Sequence, residues 1–279
     1  TSLFTILVVL LVFIFSNRIT KNRRVFSFLR VFILFWVSLV MGFYFGGQIS
    51  IIHFINLFKS IFIGGGSLLT FFIEPIIFIF GIVTIVSLFF WGRALFCGWL
   101  CPFGTLQELL SIFSKKIGIK QLKLKNNIDY FFRYVKYVLL SLIFIFSFIE
   151  LNIANYFYNV EPFKTTITLR FMAPTSAVIW SSFLLLICLV IERFFCRYLC
   201  PLGAGLGLLG RFQILNFLKR RKECGNPCVA CNKVCPTGAI KPSGKIIMSE
   251  CLGCLDCQVM YNDYKKCPPL VFIAKSKSY

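Results

Sequence analysis

The sequence predicts a membrane α-helical bundle of about five transmembrane helices carrying a small cytoplasmic α+β domain of the two-cluster ferredoxin type. Three observations predict it. Of 279 residues, 58% are hydrophobic and 14% are charged, which is the composition of a membrane protein. Eight of the thirteen cysteines crowd into the last 60 residues, most of them three or four positions apart. The stretch "FCGWLCP" (96–102) returns as "FCRYLCP" (195–201), so the chain repeats a C-x3-C-P pair.

The spans come first. A hydrocarbon core of about 30 Å takes roughly 20 apolar helical residues. Five stretches approach that length: about 2–16, 25–46, 67–91, 134–154 and 175–191. The first and last are short and borrow flanking residues. "TSLFTILVVLLVFIFS" lacks a charged n-region and a cleavage site, so it reads as a span and not a signal peptide. With no Met ahead of it, the chain is expected to be the C-terminal portion of a longer protein.

Lysine and arginine fall on alternate connections. Segments 17–24, 92–136 and everything after Ile191 carry 26 of the 30. Segments 47–66 and 155–174 hold Lys59, Lys164 and Arg170, and Arg30 sits just inside the second span. The positive-inside rule then places the N-terminus outside and the C-terminus in the cytoplasm. The same distribution accounts for the net charge of +20 as a basic rim facing lipid headgroups, and argues against a nucleic-acid partner. Residues 1–216 form the membrane domain, with the repeated pairs at its cytoplasmic exits, and residues 217–279 form the ferredoxin-type domain.

In the outer connection 46–67, apolar residues at helical spacing suit an interfacial helix. His53, the lone histidine, reads as an interfacial polar residue. Glu74 and Glu150 lie in the outer thirds of spans, where an acid serves proton-coupled quinol chemistry or is simply solvated. Cys188, inside the fifth span and outside every motif, reads as core packing.

The tail carries the clearest chemistry. Cys224, Cys228, Cys231 and Cys235 form one run, and Cys251, Cys254, Cys257 and Cys267 the other. Cysteines two residues apart wrap three corners of a cubane, and the fourth crosses to the neighbouring cluster. That rule assigns Cys224, Cys228, Cys231 and Cys267 to one [4Fe–4S] cluster and Cys251, Cys254, Cys257 and Cys235 to the other. The segment "AIKPSGKII" between them supplies a short hairpin. Two gaps are long: three residues between Cys224 and Cys228, and nine between Cys257 and Cys267. A reducing cytoplasm disfavours disulfides, and runs of three suit iron–sulfur centres better than zinc. "GLGLLG" (205–210) formally matches a dinucleotide fingerprint, but no βαβ context surrounds it. It reads as small residues packing closely.

Within each repeated pair the two cysteines share a helical face, and the proline suits the first turn of a new helix. If Cys97, Cys101, Cys196 and Cys200 meet, they suit a third cluster. The same spacing also allows a redox dithiol pair, a docking surface or a structural turn.

"GRALFCGWLCPFGTLQELL", "RFFCRYLCPLGAGLGLLGR", "CLDCQVMYNDYKKCPPLV" and the outer "EPFKTTITLRF" together resemble the NosR family, membrane flavo-iron–sulfur proteins that support nitrous-oxide reductase. The C-x3-C-P pairs are also similar to those of NapH, a partner of periplasmic nitrate reductase. The resemblance implies a multi-pass electron-transfer protein of the bacterial cytoplasmic (inner) membrane that supplies the periplasmic nitrous-oxide reductase system, with that reductase or its maturation proteins as partners. Quinol or a cytoplasmic electron donor would feed it. FMN would enter only from a domain ahead of the first span or from a separate subunit. The alternatives are a NapH-like quinol dehydrogenase component for another periplasmic reductase, or a redox-sensing, regulatory or assembly protein.

Overall fold

A computed structural model describes residues 2–51, 53–55, 75–124, 126–149, 161–225 and 228–276. Glu74 and Glu150 lie outside the described residues, as does most of the expected interfacial helix.

Among the described residues, seven longer helices organise the chain ahead of the tail: α1 (Ser2–Ile14), α2 (Arg23–Tyr44), α3 (Pro75–Trp91), α4 (Pro102–Ile117), α5 (Asn126–Ile149), α6 (Thr175–Ile187) and α7 (Pro201–Leu209). Asn22 caps α2, its side chain accepting from the Arg24 and Val25 amides at 3.2 and 3.4 Å, a standard use of an N-cap amide oxygen. The last two turns of α2, Val37–Tyr44, wind as a π-helix.

Among the described residues, two stretches are long and apolar enough to cross a membrane, Arg23–Tyr44 and Asn127–Ser147, while α1, α6 and most of α3 are shorter apolar helices. They lie where the sequence places its first, third and fifth spans. A 13-residue helix such as α1 or α6 rises only about 20 Å, so length alone supports two spans of the expected five. Large side chains on the outer faces are bare, among them Phe28, Phe32 and Phe35 on α2 and Ile179, Phe183 and Leu186 on α6. A lipid environment makes such a surface favourable.

Helix α4 is amphipathic in the inverted sense. Its polar stripe, Thr105, Gln107, Glu108, Ser111 and Ser114, is buried, whereas Phe113 and Ile117 are exposed. It runs antiparallel to α2: a side chain built on Gly42 would meet Pro102 at 2.9 Å, and Arg30 reaches Glu108. Lys115 and Lys116 sit in its last turn, where cations complement the helix dipole.

The expected hairpin forms, but it builds no sheet. Ile247 donates to Ala239 at 2.8 Å, Lys241 donates to Lys245 at 2.9 Å, and Ile240 bridges Ile246. Among the described residues no regular strand follows, so the α+β expectation is corrected to an essentially helical fold. The arms are too short for a ladder, and Pro242 in the turn between them brings no N–H. "GLGLLG" packs closely, as expected: it ends α7, and a side chain at Gly207 would meet the Ser249 carbonyl at 2.7 Å.

Candidate metal centres

The two C-x3-C-P motifs fold the same way. In each, the second cysteine is the N-cap of the following helix and proline opens its first turn. Cys101 Sγ accepts from the Gly104 amide at 3.4 Å and Cys200 Sγ from the Gly203 amide at 3.2 Å. A helix N-terminus favours negative charge, and these donors point at sulfur. Cys97, Cys101, Cys196 and Cys200 line one shared cavity. The four thiols therefore belong to a single site.

Arginines lock the two halves together crosswise. Arg93, four residues before Cys97, donates to the Gly203 carbonyl of the other repeat at 2.9 Å. Arg193, three residues before Cys196, donates to the Cys97 and Gly98 carbonyls at 2.7 and 3.0 Å. Both guanidiniums are almost wholly buried. Arg193 also pairs with Glu108, which takes Arg30 at 2.6 Å on its other oxygen. Burial works against the Glu108 charge, but Arg193 and Arg30 outweigh it and hold the carboxyl at about 2. Sequence reasoning missed these groups. The arginine in both "GRALFC" and "RFFC" was the available signal.

The cavity has two very different neighbours. Leu252, between Cys251 and Cys254 of the tail, lines it from one side. The Gly98 backbone abuts the Leu252 carbonyl so closely that an added Cβ would come within 2.0 Å. Trp99 Nε1 donates to the Gly253 carbonyl at 3.0 Å and Arg93 Nε to the Cys251 carbonyl at 3.3 Å. Arg30 reaches the Cys254 carbonyl and lies over the Trp99 ring at 4.8 Å. Gln48 and Phe163, members of the connections that the charge pattern assigns to the outside, line the same cavity. Gln48 donates to Cys101 Sγ at 3.5 Å and accepts from the Phe103 amide at 3.3 Å. The pairs thus sit deeper in the fold than exits hanging below a membrane.

In the tail, burial is the main influence on the thiols, and neighbouring thiols add to it. Burial chiefly raises Cys231, and Cys224 and Cys267 add to it. Burial likewise lifts Cys251 to about 11, with Cys235 adding. Cys254 and Cys257 also feel Cys235 behind the dominant effect of burial. Cys224 and Cys228 face each other across a backbone bridge. N–H groups point at these sulfurs too: Gly253 to Cys251 at 3.4 Å and Arg221 Nη1 to Cys267 at 3.2 Å.

A second ionic web holds the tail against α5. Lys136 Nζ meets Glu250 at 2.6 Å, with Tyr137 donating to the same carboxylate at 3.1 Å. Asp129 takes Arg133, Arg197 and Tyr198, each at 2.5 Å. Cys188 is fully buried, as expected, but it is not isolated. Its thiol donates to Gln107 Oε1 at 3.4 Å while Gln107 Nε2 donates to Cys196 at 3.2 Å.

Among the described residues no three Cys, His, Asp or Glu side chains converge tightly enough for a single metal ion. One ion would draw tetrahedral thiolates to about 3.8 Å apart. Four cysteines lining one cavity, with amide donors on sulfur and buried cations nearby, are a donor set whose chemistry suits an iron–sulfur cluster.

Comparison with known proteins bears on each part separately. A 4Fe-4S binding domain model matches residues 72–120 and 173–223, which contain the repeated pairs, and a NosR model matches 222–278, the tail. Regulatory protein NosR of Stutzerimonas stutzeri is 40% identical over 262 residues, covering 94% of this chain and 36% of that protein. The chain belongs to the NosR family. Protein NirI of Paracoccus denitrificans is 41% identical over 85% of this chain and 35% of its own length. The putative electron transport protein YccM of Escherichia coli is 31% identical over 58% of this chain and 47% of its own. The chain spans about a third of the length of its NosR and NirI relatives. No solved structure matches it.

Proposed function

We propose that this chain is a membrane iron–sulfur electron-transfer protein that links a cytoplasmic donor or quinol to a periplasmic reductase, in the setting of nitrous-oxide reduction. The observation that carries the reading is the position of Leu252. It stands between two tail cysteines and also lines the cavity of the repeated pairs, together with Gln48 and Phe163. One cavity thus touches the tail, the repeated pairs and the outer connections. This supports a relay in place of one long hop across a core of about 30 Å.

In this reading Cys224, Cys228, Cys231 and Cys267 hold one [4Fe–4S] cluster, Cys251, Cys254, Cys257 and Cys235 a second, and Cys97, Cys101, Cys196 and Cys200 a third. Such clusters supply one-electron transfer at potentials tuned by hydrogen bonds to sulfur and by burial. The chain's own residues do the tuning. The Gly104 and Gly203 amides and Gln48 and Gln107 donate to sulfur, while Arg93 and Arg193 offset negative charge in a dry site. The two long helices and three shorter apolar ones complete five spans, with the tail in the cytoplasm and 46–67 and 155–174 facing the periplasm. FMN, in this scheme, is supplied by another domain or subunit.

The relatives' name, regulatory protein, supports a second reading in which the redox state is sensed. Iron per chain on anaerobically purified protein, with EPR, tests the cofactor content: about twelve irons for three clusters against about eight for two. Electron transfer fails as the function if whole-cell nitrous-oxide reduction survives Cys231→Ala. A centre that breaks down on oxidation without turnover would favour sensing.

A further inference from the structure

The sequence sought an intramembrane acid at Glu74 and Glu150; the structure offers another. Glu161 lies in the second outer connection, two residues before Phe163 of the cysteine cavity, and only 4% of it is exposed. One oxygen takes the Ser50 hydroxyl at 2.5 Å. The other oxygen is buried with no hydrogen-bond partner. A buried acid half-satisfied in this way is costly as an anion and acceptable as a neutral carboxyl. Ser50 in turn donates its backbone N–H to His53 Nδ1 at 3.1 Å. Two residues before Ser50, Gln48 hydrogen-bonds Cys101 Sγ. The acid, the lone histidine and a cavity cysteine are therefore gathered by the short segment 48–53.

We propose that Glu161, backed by Ser50 and His53, is a proton-accepting site on the outward side that takes up a proton when negative charge arrives at the four-cysteine site. The inference rests on the reading of that site as a redox centre. One electron, from the tail's iron–sulfur centre or from dithionite in a test, enters the four-cysteine site. Above the Glu161 value of about 8, where the carboxylate is populated, one proton from outer-side water converts it to the acid at its unpartnered Oε1. The net charge of the buried pair of sites is then unchanged, which a low-dielectric interior strongly favours.

The surroundings suit that role. Burial, ahead of the opposing Ser50 bond, lifts the Glu161 carboxyl to about 8. Among the described residues, the other titratable or charged groups on the packed elements are His53, Lys164 and Arg170 of the outer connections and Tyr44 at the end of α2. Beyond Gln48 and Phe163 stand the four cavity thiols with Arg93 and Arg193. Arg170 turns away to the Tyr44 carbonyl.

The test uses the full chain, titrated with dithionite from about pH 6 to about pH 10 and read by EPR and by redox-difference infrared spectroscopy. In wild type the midpoint of the third centre falls as pH rises through the Glu161 range, and a protonated-carboxyl band, shifted in heavy water, appears on reduction. In Glu161→Gln the third EPR signal remains, its midpoint is independent of pH, and the band is lost. A third signal whose pH dependence and carboxyl band survive in Glu161→Gln overturns the inference and leaves the third centre standing. A wild-type protein with no third signal, indistinguishable from Cys200→Ser, overturns the reading beneath it. Ser50→Ala, which removes the bond favouring the anion, moves the pH break upward; an unmoved break also counts against the site.

Discussion

Gly98→Ala tests the contact on which the relay depends. Gly98 lies in the turn Phe96–Leu100 with no positive φ, so alanine is conformationally acceptable there. By helix propensity alone the change would stabilise by up to about 1 kcal/mol. Space decides otherwise. The new methyl would stand 2.0 Å from the Leu252 carbonyl oxygen and 3.2 Å from its carbon. The obstacle is backbone, held by Trp99 at Gly253 and Arg93 at Cys251, so no side chain can simply swing aside. The 250–254 loop must retreat by about 1 Å or more to restore normal contact. Overpacking of that kind costs about 1–3 kcal/mol, equivalent to roughly 5- to 150-fold in the docking equilibrium. Hydrogen exchange at the 251–254 amides should quicken by that factor, while iron content stays at the wild-type value because no thiol is touched. Electron delivery from the tail to the repeated pairs should slow in parallel. Unchanged exchange together with unchanged transfer would refute the claim that this contact joins the two parts.

Four further outcomes follow from the same geometry. Cys101→Ser and Cys200→Ser should each lower iron by about four per chain and leave the tail's EPR signals intact; loss from one variant alone would contradict a shared site. Cys188→Ala should keep the full iron count, because its thiol reaches Cys196 only through Gln107. Glu108→Gln strands Arg30 and Arg193 in the interior and should cost about 3–5 kcal/mol in unfolding experiments. Since the folded Glu108 carboxyl is held at about 2, its wild-type contribution is complete above its unfolded value near 4.5 and is lost as pH falls from there through 2. Glu161 has the opposite sign: its raised pKa makes the wild type lose stability as pH climbs from about 4.5 through about 8. Glu161→Gln should therefore show a flatter pH–stability curve over that window.

What could be read from sequence was what local chemistry dictates. A cubane demands cysteines at short spacing, so Cys224 to Cys267 declared themselves, and the hairpin between the runs followed from Lys241–Pro242–Ser243–Gly244. The hairpin's failure to become a sheet was not legible, because nothing in nine residues reports how few backbone bonds survive around a proline. The repeated pairs were legible as pairs. Their union was not, since it depends on Arg93 and Arg193 reaching across about a hundred residues. The buried face of α4 was not legible either: Gln107, Glu108 and Ser111 have the pattern of a solvated face, yet they are buried while Phe113 and Ile117 are exposed. Glu161 escaped because intramembrane acids were sought inside spans, whereas it stands in a connection that folds back onto the core.

The cross-bracing also bears on why the motif occurs twice. Four thiolates gathered in an apolar cavity repel one another, and burial already pushes the Cys97 thiol up to about 11. Loading a metal centre there requires the thiols to give up their protons. A single C-x3-C-P turn brings one helix N-terminus and one arginine, too little positive potential for four sulfurs. Duplication doubles both. Because each arginine is spent on the carbonyls of the other copy, neither copy reaches its folded geometry alone. The positive charge is therefore delivered only when the halves have met. Assembly of the site is thereby tied to correct packing of α3, α4 and α7, and Leu252 closes the cavity only once the tail has docked. A site built in this order presents thiolates to a metal centre after the membrane domain is formed and not before, which suits a redox centre that must be kept from water.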